Sequence, residues 1–175
     1  MCMRLSEKVS FEEVLVNFRL HHSVKMQYEQ NTNSDTEISL QQANEQFGEW
    51  YKVLLNREDI LQVVLPWHLS CSGKIELVPK SGLTVKQTVE KLLHIEDAVA
   101  NENPICYGKM LKLSKAPFSP LFLSTQAIER DDYSSLHTKN GLTHIDGLHR
   151  MIAWERFGRL TKGVWVEAYI AGHIN

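Results

Sequence analysis

Apolar residues along this chain keep two different rhythms, and the change falls near Pro66. Before it, Leu40, Ala43, Phe47, Trp50, Tyr51, Leu54 and Leu55 recur at the 3.6-residue spacing of a helix with one buried stripe. Ser39-Leu-Gln-Gln42 has capping-box spacing and predicts the start of that helix. A similar box, Ser10-Phe-Glu-Glu13, opens an apolar run from Val14 to Leu20. The polar stretch YEQNTNSDTE, Tyr28 to Glu37, predicts a loop between the two. DILQVVL extends the helical reading until Pro66 halts it. Residues 1–65 therefore read as an N-terminal helical region.

Beyond Pro66 the rhythm shortens. KIELV, Lys74 to Val78, alternates between turn signals at Ser72-Gly73 and Lys80–Gly82 and predicts a strand. Thr84-Val-Lys-Gln87 caps a helix that runs through Val89, Leu92, Leu93 and Ile95 and dissolves at Asn101–Pro104. PLFLS from Pro120, LTHI from Leu142 and VWVEAYIAG from Val164 predict three more strands, with a helix after LTHI that ends near Gly158. Alternating strand and helix over residues 66–175 predicts an α+β core.

Composition narrows the function classes. With 43% hydrophobic and 23% charged residues in 175, the chain suits one soluble domain. Its formal charge of -2 supplies no excess of positive charge to hold nucleic acid. No segment approaches the roughly 18 apolar residues of a membrane span, and the N-terminus lacks a signal-peptide core, so a cytoplasmic location is expected. Cys2, Cys71 and Cys106 are odd in number and far apart, which argues against disulfides and against a CxxC zinc site. Cys71 and Cys106 read as small core residues, since no base neighbours them in sequence.

Most of the candidate chemistry sits in GLTHIDGLHRMIAWERFG, Gly141 to Gly158. With Asp146 as N-cap and Gly147 first in the helix, His149 and Arg150 fall in the first turn. There, unbonded amides and the positive end of the helix dipole attract an anion. Gly147 lets a ligand approach the backbone, Leu148 contributes its amide, and Arg150 offers a two-pronged bond to phosphate. A ligand-free account also fits: Asp146 caps, and Arg150 stacks on the Trp154/Phe157 stripe or pairs with Glu155. An ionised Asp146 would repel a phosphate unless backbone amides or Mg²⁺ absorb its charge. His144, beside the turn, is a further ligand contact. Lys115 and Ser119 reach the same place if the PLFL strand lies next to LTHI. His144, Asp146 and His149 match no zinc spacing, so no resident metal is assigned to them. The acidic IERDDYSS reads as surface or as help for Mg²⁺, and Trp67-His68 as an apolar plug.

HIDGLHRMIAWERFG followed by VWVEAYIA resembles the DGxHR signature of the ParB/sulfiredoxin-like superfamily, and the likeness extends from about Pro66 to Gly172. The resemblance implies a small mixed-sheet core, here with an N-terminal helical extension. It also implies that Gly147, His149 and Arg150 bind nucleotide phosphates with Asp146 at the turn. Sulfiredoxin carries a cysteine immediately before its His-Arg pair, where this chain has Leu148. The helix-turn-helix and Arg-Arg pair of the chromosome-partitioning members are not evident. What remains implied is phosphoryl transfer from ADP or ATP with Mg²⁺ to a small hydroxyl-bearing metabolite, with His149, Arg150 and Asp146 as the catalytic set. Glu96, Asp97, Glu102, Glu129, Asp131 and Asp132 are the candidates for its base. The alternative is a non-catalytic nucleotide-binding or accessory protein acting through its N-terminal helices. Either way the partner is a phosphorylated small molecule or nucleotide, with self-association left open.

Overall fold

The computed structural model describes residues 3–22, 27–69 and 73–174; Cys2, Cys71 and Ser72 lie outside them. In chain order the elements are β1 (Arg4–Val9), α1 (Phe11–His21), α2 (Gln27–Phe47), β2 (Trp50–Leu55), α3 (Arg57–Leu61) and β3 (Val64–Leu65). Next come β4 (His68–Leu69), β5 (Glu76–Val78), β6 (Leu83–Thr84), α4 (Val85–Glu102) and α5 (Pro104–Leu113). The chain finishes with β7 (Leu121–Gln126), α6 (Asp131–Ser134), β8 (Asn140–Asp146), α7 (Leu148–Arg156) and β9 (Val166–Ala171). Seven strands form one mixed sheet in the order β1-β2-β9-β7-β8-β3-β6, and β4 pairs with β5 in a separate hairpin. The fold is α+β.

Both faces of the sheet are covered. Leu121 and Leu123 of β7 face Leu92, Met110, Ile152 and Trp154, from α4, α5 and α7. Phe122, between them, faces the opposite cluster with Val14 and Phe18 of α1 and Leu40 and Ala43 of α2. The period-2 geometry of a strand sends neighbours to opposite faces. A central strand such as β9 is therefore apolar at almost every position. No helix among the described residues is long and apolar enough to cross a membrane.

Several local expectations match. Ser10 Oγ accepts from Glu13 N at 3.2 Å, and Thr84 with Gln87 forms a reciprocal capping box. The four strands expected between residues 74 and 172 overlap β5, β7, β8 and β9, with β7 and β8 running beyond the expected bounds.

The N-terminal third is not wholly helical. The helix through Leu55 stops at Phe47, where Gly48 takes a left-handed φ of 70°. Trp50–Leu55 is instead a sheet strand, antiparallel to β9 from Trp50↔Ala171 to Leu55↔Val166. Its aromatic and branched residues bury at Trp50, Val53 and Leu55, a pattern that also satisfies a helical wheel over so short a run. The helix also begins earlier than Ser39. The polar stretch from Tyr28 to Glu37 is helical, and Ser39 Oγ bonds back to Asp35 O at 3.1 Å within α2. DILQVVL divides into the end of α3 and the strand β3. Pro104 begins α5, because the missing N–H of proline costs nothing in a first turn.

Candidate functional site

β3 and β8 are parallel neighbours, with Val64 opposite Thr143. Their carboxyl ends therefore emerge side by side. One leads through Pro66 and Trp67 to His68, the other through Asp146 and Gly147 to His149. In sheets with parallel strands, ligands bind in the crevice beyond such ends. Here that crevice is a cavity of about 180 Å³, and its wall includes Trp67, His68, Tyr133, His144, Asp146, Leu148 and His149. It is smaller than the roughly 300–1,000 Å³ of a typical drug-sized pocket. A phosphate group or small metabolite fits inside; a whole nucleotide does not.

The turn between β8 and α7 differs from the expected cap. Gly147 itself is the N-cap, at φ 114°, and no side chain caps the helix. A Cβ there would lie 2.5 Å from Leu121 Cδ2 and 3.3 Å from Arg150 Nη2, so glycine is required by the turn and by Arg150 packed over it. The Asp146 carboxylate is salt-bridged to Arg150 Nη2, while Arg150 Nη1 donates to Ser119 Oγ at 3.0 Å. Arg150 is 7% exposed and is not on the cavity wall. The guanidinium expected to grip phosphate instead neutralises Asp146, and its pairing with Glu155 is excluded because Glu155 binds Arg57. Ser119 serves Arg150. Lys115 is exposed in the turn after α5, away from the cavity wall.

A second side chain reaches the same carboxylate. His22, just past α1, places Nε2 3.1 Å from Asp146 Oδ2, while its Nδ1 donates to Phe18 O at 2.7 Å. Burial alone would raise the Asp146 pKa, but the Arg150 charge and the His22 hydrogen bond hold it well below the ordinary carboxylate range.

Among the described residues the cavity wall carries three carboxylates and three imidazoles, and no Lys or Arg. Asp146 is offset by Arg150, and Asp35 by Arg130 at 2.7 Å. Asp132, on the short helix α6, is the exposed acid at the rim. Burial lowers the pKa of His68 to about 4, helped by the charge of Lys109, and burial likewise takes His144 to about 4. His149 lies well below the usual range for the same two reasons, burial first and then Lys109. All three rings are therefore neutral at pH 7. His144 Nδ1 is buried with no hydrogen-bond partner among the described residues, although Tyr133 Oη donates to the His144 carbonyl at 3.0 Å.

Cys106 approaches from the side. It lies on the first turn of α5, whose start is fixed by buried Asn103. The Asn103 Oδ1 accepts from the amides of Lys74 and Ile75, each at 3.0 Å, and its Nδ2 donates to Ile75 O at 2.7 Å. Cys106 Sγ is 3.2 Å from His149 Nε2 and 4.0 Å from His68 Nε2. The two rings meet edge-on, with centroids 4.8 Å apart and planes at 83°. The expectation that Cys106 has no neighbouring base is thus corrected. Trp67 is not a plug: it stands at the rim, 36% exposed, with Nε1 donating to Glu76 Oε1 at 2.6 Å.

Sequence reading found His144, Asp146, Leu148 and His149 of the wall and missed His22, His68, Asp35 and Cys106 as members of the site. These come from four elements that only the tertiary fold assembles, and nothing in their spacing announces it.

Comparison with the curated proteins and with the solved structures returns no match. Residues 3–175 match the family model DUF6309, described as a family of unknown function, and the chain belongs to that family.

Proposed function

We propose that the protein binds a small phosphorylated ligand, or the phosphate end of a nucleotide, in the cavity beyond β3 and β8. The observation that carries this reading is that the first turn of α7, at Leu148 and His149, forms part of the cavity wall. The dipole of that helix places roughly half a positive charge there. Asp146 does not cancel it, because Arg150 and His22 absorb the carboxylate's charge. Arg150 is then a positioning residue rather than a ligand contact. The DGxHR resemblance points the same way.

If the ligand donates a phosphoryl group, ADP or ATP with Mg²⁺ is the donor the resemblance implies, and Asp132 is the carboxylate in place to take the acceptor's proton. Of the other acids considered, Glu96 is engaged by Arg156 and by Tyr107 Oη at 2.9 Å. Glu96, Asp97, Glu102, Glu129 and Asp131 are not on the wall.

A thermal-shift panel of inorganic phosphate, pyrophosphate, ADP and ATP, each with and without Mg²⁺, tests this. A ligand at 100 times its Kd stabilises the fold by about 2.7 kcal/mol. At about 2–4 °C per kcal/mol for a chain of this length, the melting point should rise roughly 5–11 °C. Removing the rim charge in Asp132→Asn should strengthen the shift. A shift that weakens in that variant only when Mg²⁺ is present would mean that Asp132 holds the cation beside the phosphate, and no shift with any of the four would defeat the proposal.

A further inference from the structure

We propose that His68, Cys106 and His149 form a binding site for a transition-metal ion of the zinc class, with its fourth coordination position open to the cavity. One ligand atom from each of the three residues lies within 4.8 Å of the other two. A tetrahedral ion with bonds of about 2.0 Å to nitrogen and about 2.3 Å to sulfur separates its ligand atoms by roughly 3.3–3.6 Å. The Sγ–Nε2 distances of 3.2 and 4.0 Å bracket that range, and all three ligand atoms lie within 4.8 Å of one another, so an ion enters by drawing the side chains together.

The alternative is a thiol packed against two rings. Sulfur is a weak donor and a weak acceptor, and a thiol has one proton to give. Two half-buried imidazole nitrogens turned toward one such thiol, at 3.2 and 4.0 Å, compete for that single proton. An ion satisfies all three atoms at once.

The backbone supports a designed convergence. His68 follows β3, His149 follows its parallel neighbour β8, and Asn103 sets the start of the helix that presents Cys106. His68 and His149 are on the cavity wall, with Cys106 behind them. Three protein ligands and one position facing a cavity are the arrangement of catalytic rather than structural zinc. Mixed nitrogen and sulfur ligands select such an ion over Mg²⁺, which takes oxygen. In the cavity it would add net positive charge to a wall that has no Lys or Arg among the described residues, and would polarise an oxygen of a bound ligand. Ion binding itself does not depend on the phosphate reading.

The test is a Co²⁺ titration of the full-length, reduced, metal-stripped protein in a phosphate-free buffer. The expected result is one equivalent bound, with a thiolate-to-cobalt charge-transfer band and the intense visible bands of four-coordinate cobalt, all displaced by Zn²⁺. Cys106→Ser should lose the charge-transfer band, and His68→Gln should bind more than about 100-fold more weakly, since even outer-sphere partners cost 10–100-fold. Cys71→Ser should keep the wild-type spectrum. Circular dichroism shows whether each variant is folded. A folded wild type that develops no charge-transfer band, or a band that persists in Cys106→Ser, overturns the assignment. Phosphate failing to bind would leave it standing.

Discussion

Arg150 distinguishes a residue that holds ligand from one that holds the fold. Its guanidinium is buried, salt-bridged to Asp146, bonded to Ser119 and packed over Gly147. Arg150→Met keeps much of the apolar stem but leaves the partly buried Asp146 carboxylate without the guanidinium, with the His22 contact at 3.1 Å remaining. Removing one partner of a buried pair costs about 3–5 kcal/mol. At about 2–4 °C per kcal/mol, the melting point should fall by roughly 6–20 °C. Asp146→Asn strands Arg150 in the same way. The double variant should be less unstable than the sum of the two by a coupling on the order of 0.5–3 kcal/mol. Urea unfolding of the four proteins, followed by tryptophan fluorescence, measures this cycle. The acid limb supplies a second readout. Because the folded pKa of Asp146 is depressed, its ionised form contributes stability above the unfolded value of about 3.9, and that contribution is lost as pH falls toward the folded value. Wild type should therefore lose its advantage over Asp146→Asn below about pH 4. If Arg150→Met melts within about 0.5 kcal/mol of wild type at pH 7, as a surface substitution would, the structural role assigned here is wrong.

Other substitutions read neighbouring parts of the same design. Gly147→Ala combines a left-handed φ of 114° with a 2.5 Å contact to Leu121 and should cost at least about 2 kcal/mol in chemical denaturation. His22→Ala removes a charged hydrogen bond to Asp146 and should cost about 1.5–3 kcal/mol, measured by the same melts. Asn103→Ala orphans three backbone groups and should cost about 2–4 kcal/mol; because it also frees the start of α5, Co²⁺ affinity in the folded fraction should fall with it.

The C-terminal part of this fold was legible because its signals are local. LTHI joined to DGLHR announces strand, turn and helix in one reading, and Thr84 with Gln87 marks a helix start with its own side chains. The N-terminal third misled because Trp50–Leu55 is too short to separate a helical period from a strand period. Its strand state is set by pairing with β9, more than a hundred residues away. The site divides the same way. Asp146 to Arg150 are visible as a motif, but the direction of Arg150 depends on Ser119 and Gly147. Cys106 is silent in sequence because its partners are 38 and 43 residues distant and meet it only through the parallel pairing of β3 with β8.

The most direct test of the assembled site is anomalous diffraction at the zinc edge, from crystals grown with Zn²⁺ and soaked in inorganic phosphate. The account predicts one peak among His68 Nε2, Cys106 Sγ and His149 Nε2, with phosphate oxygen completing the coordination from the cavity side. An ordered crystal with no peak at that position, and phosphate held by Arg150 instead, would contradict it.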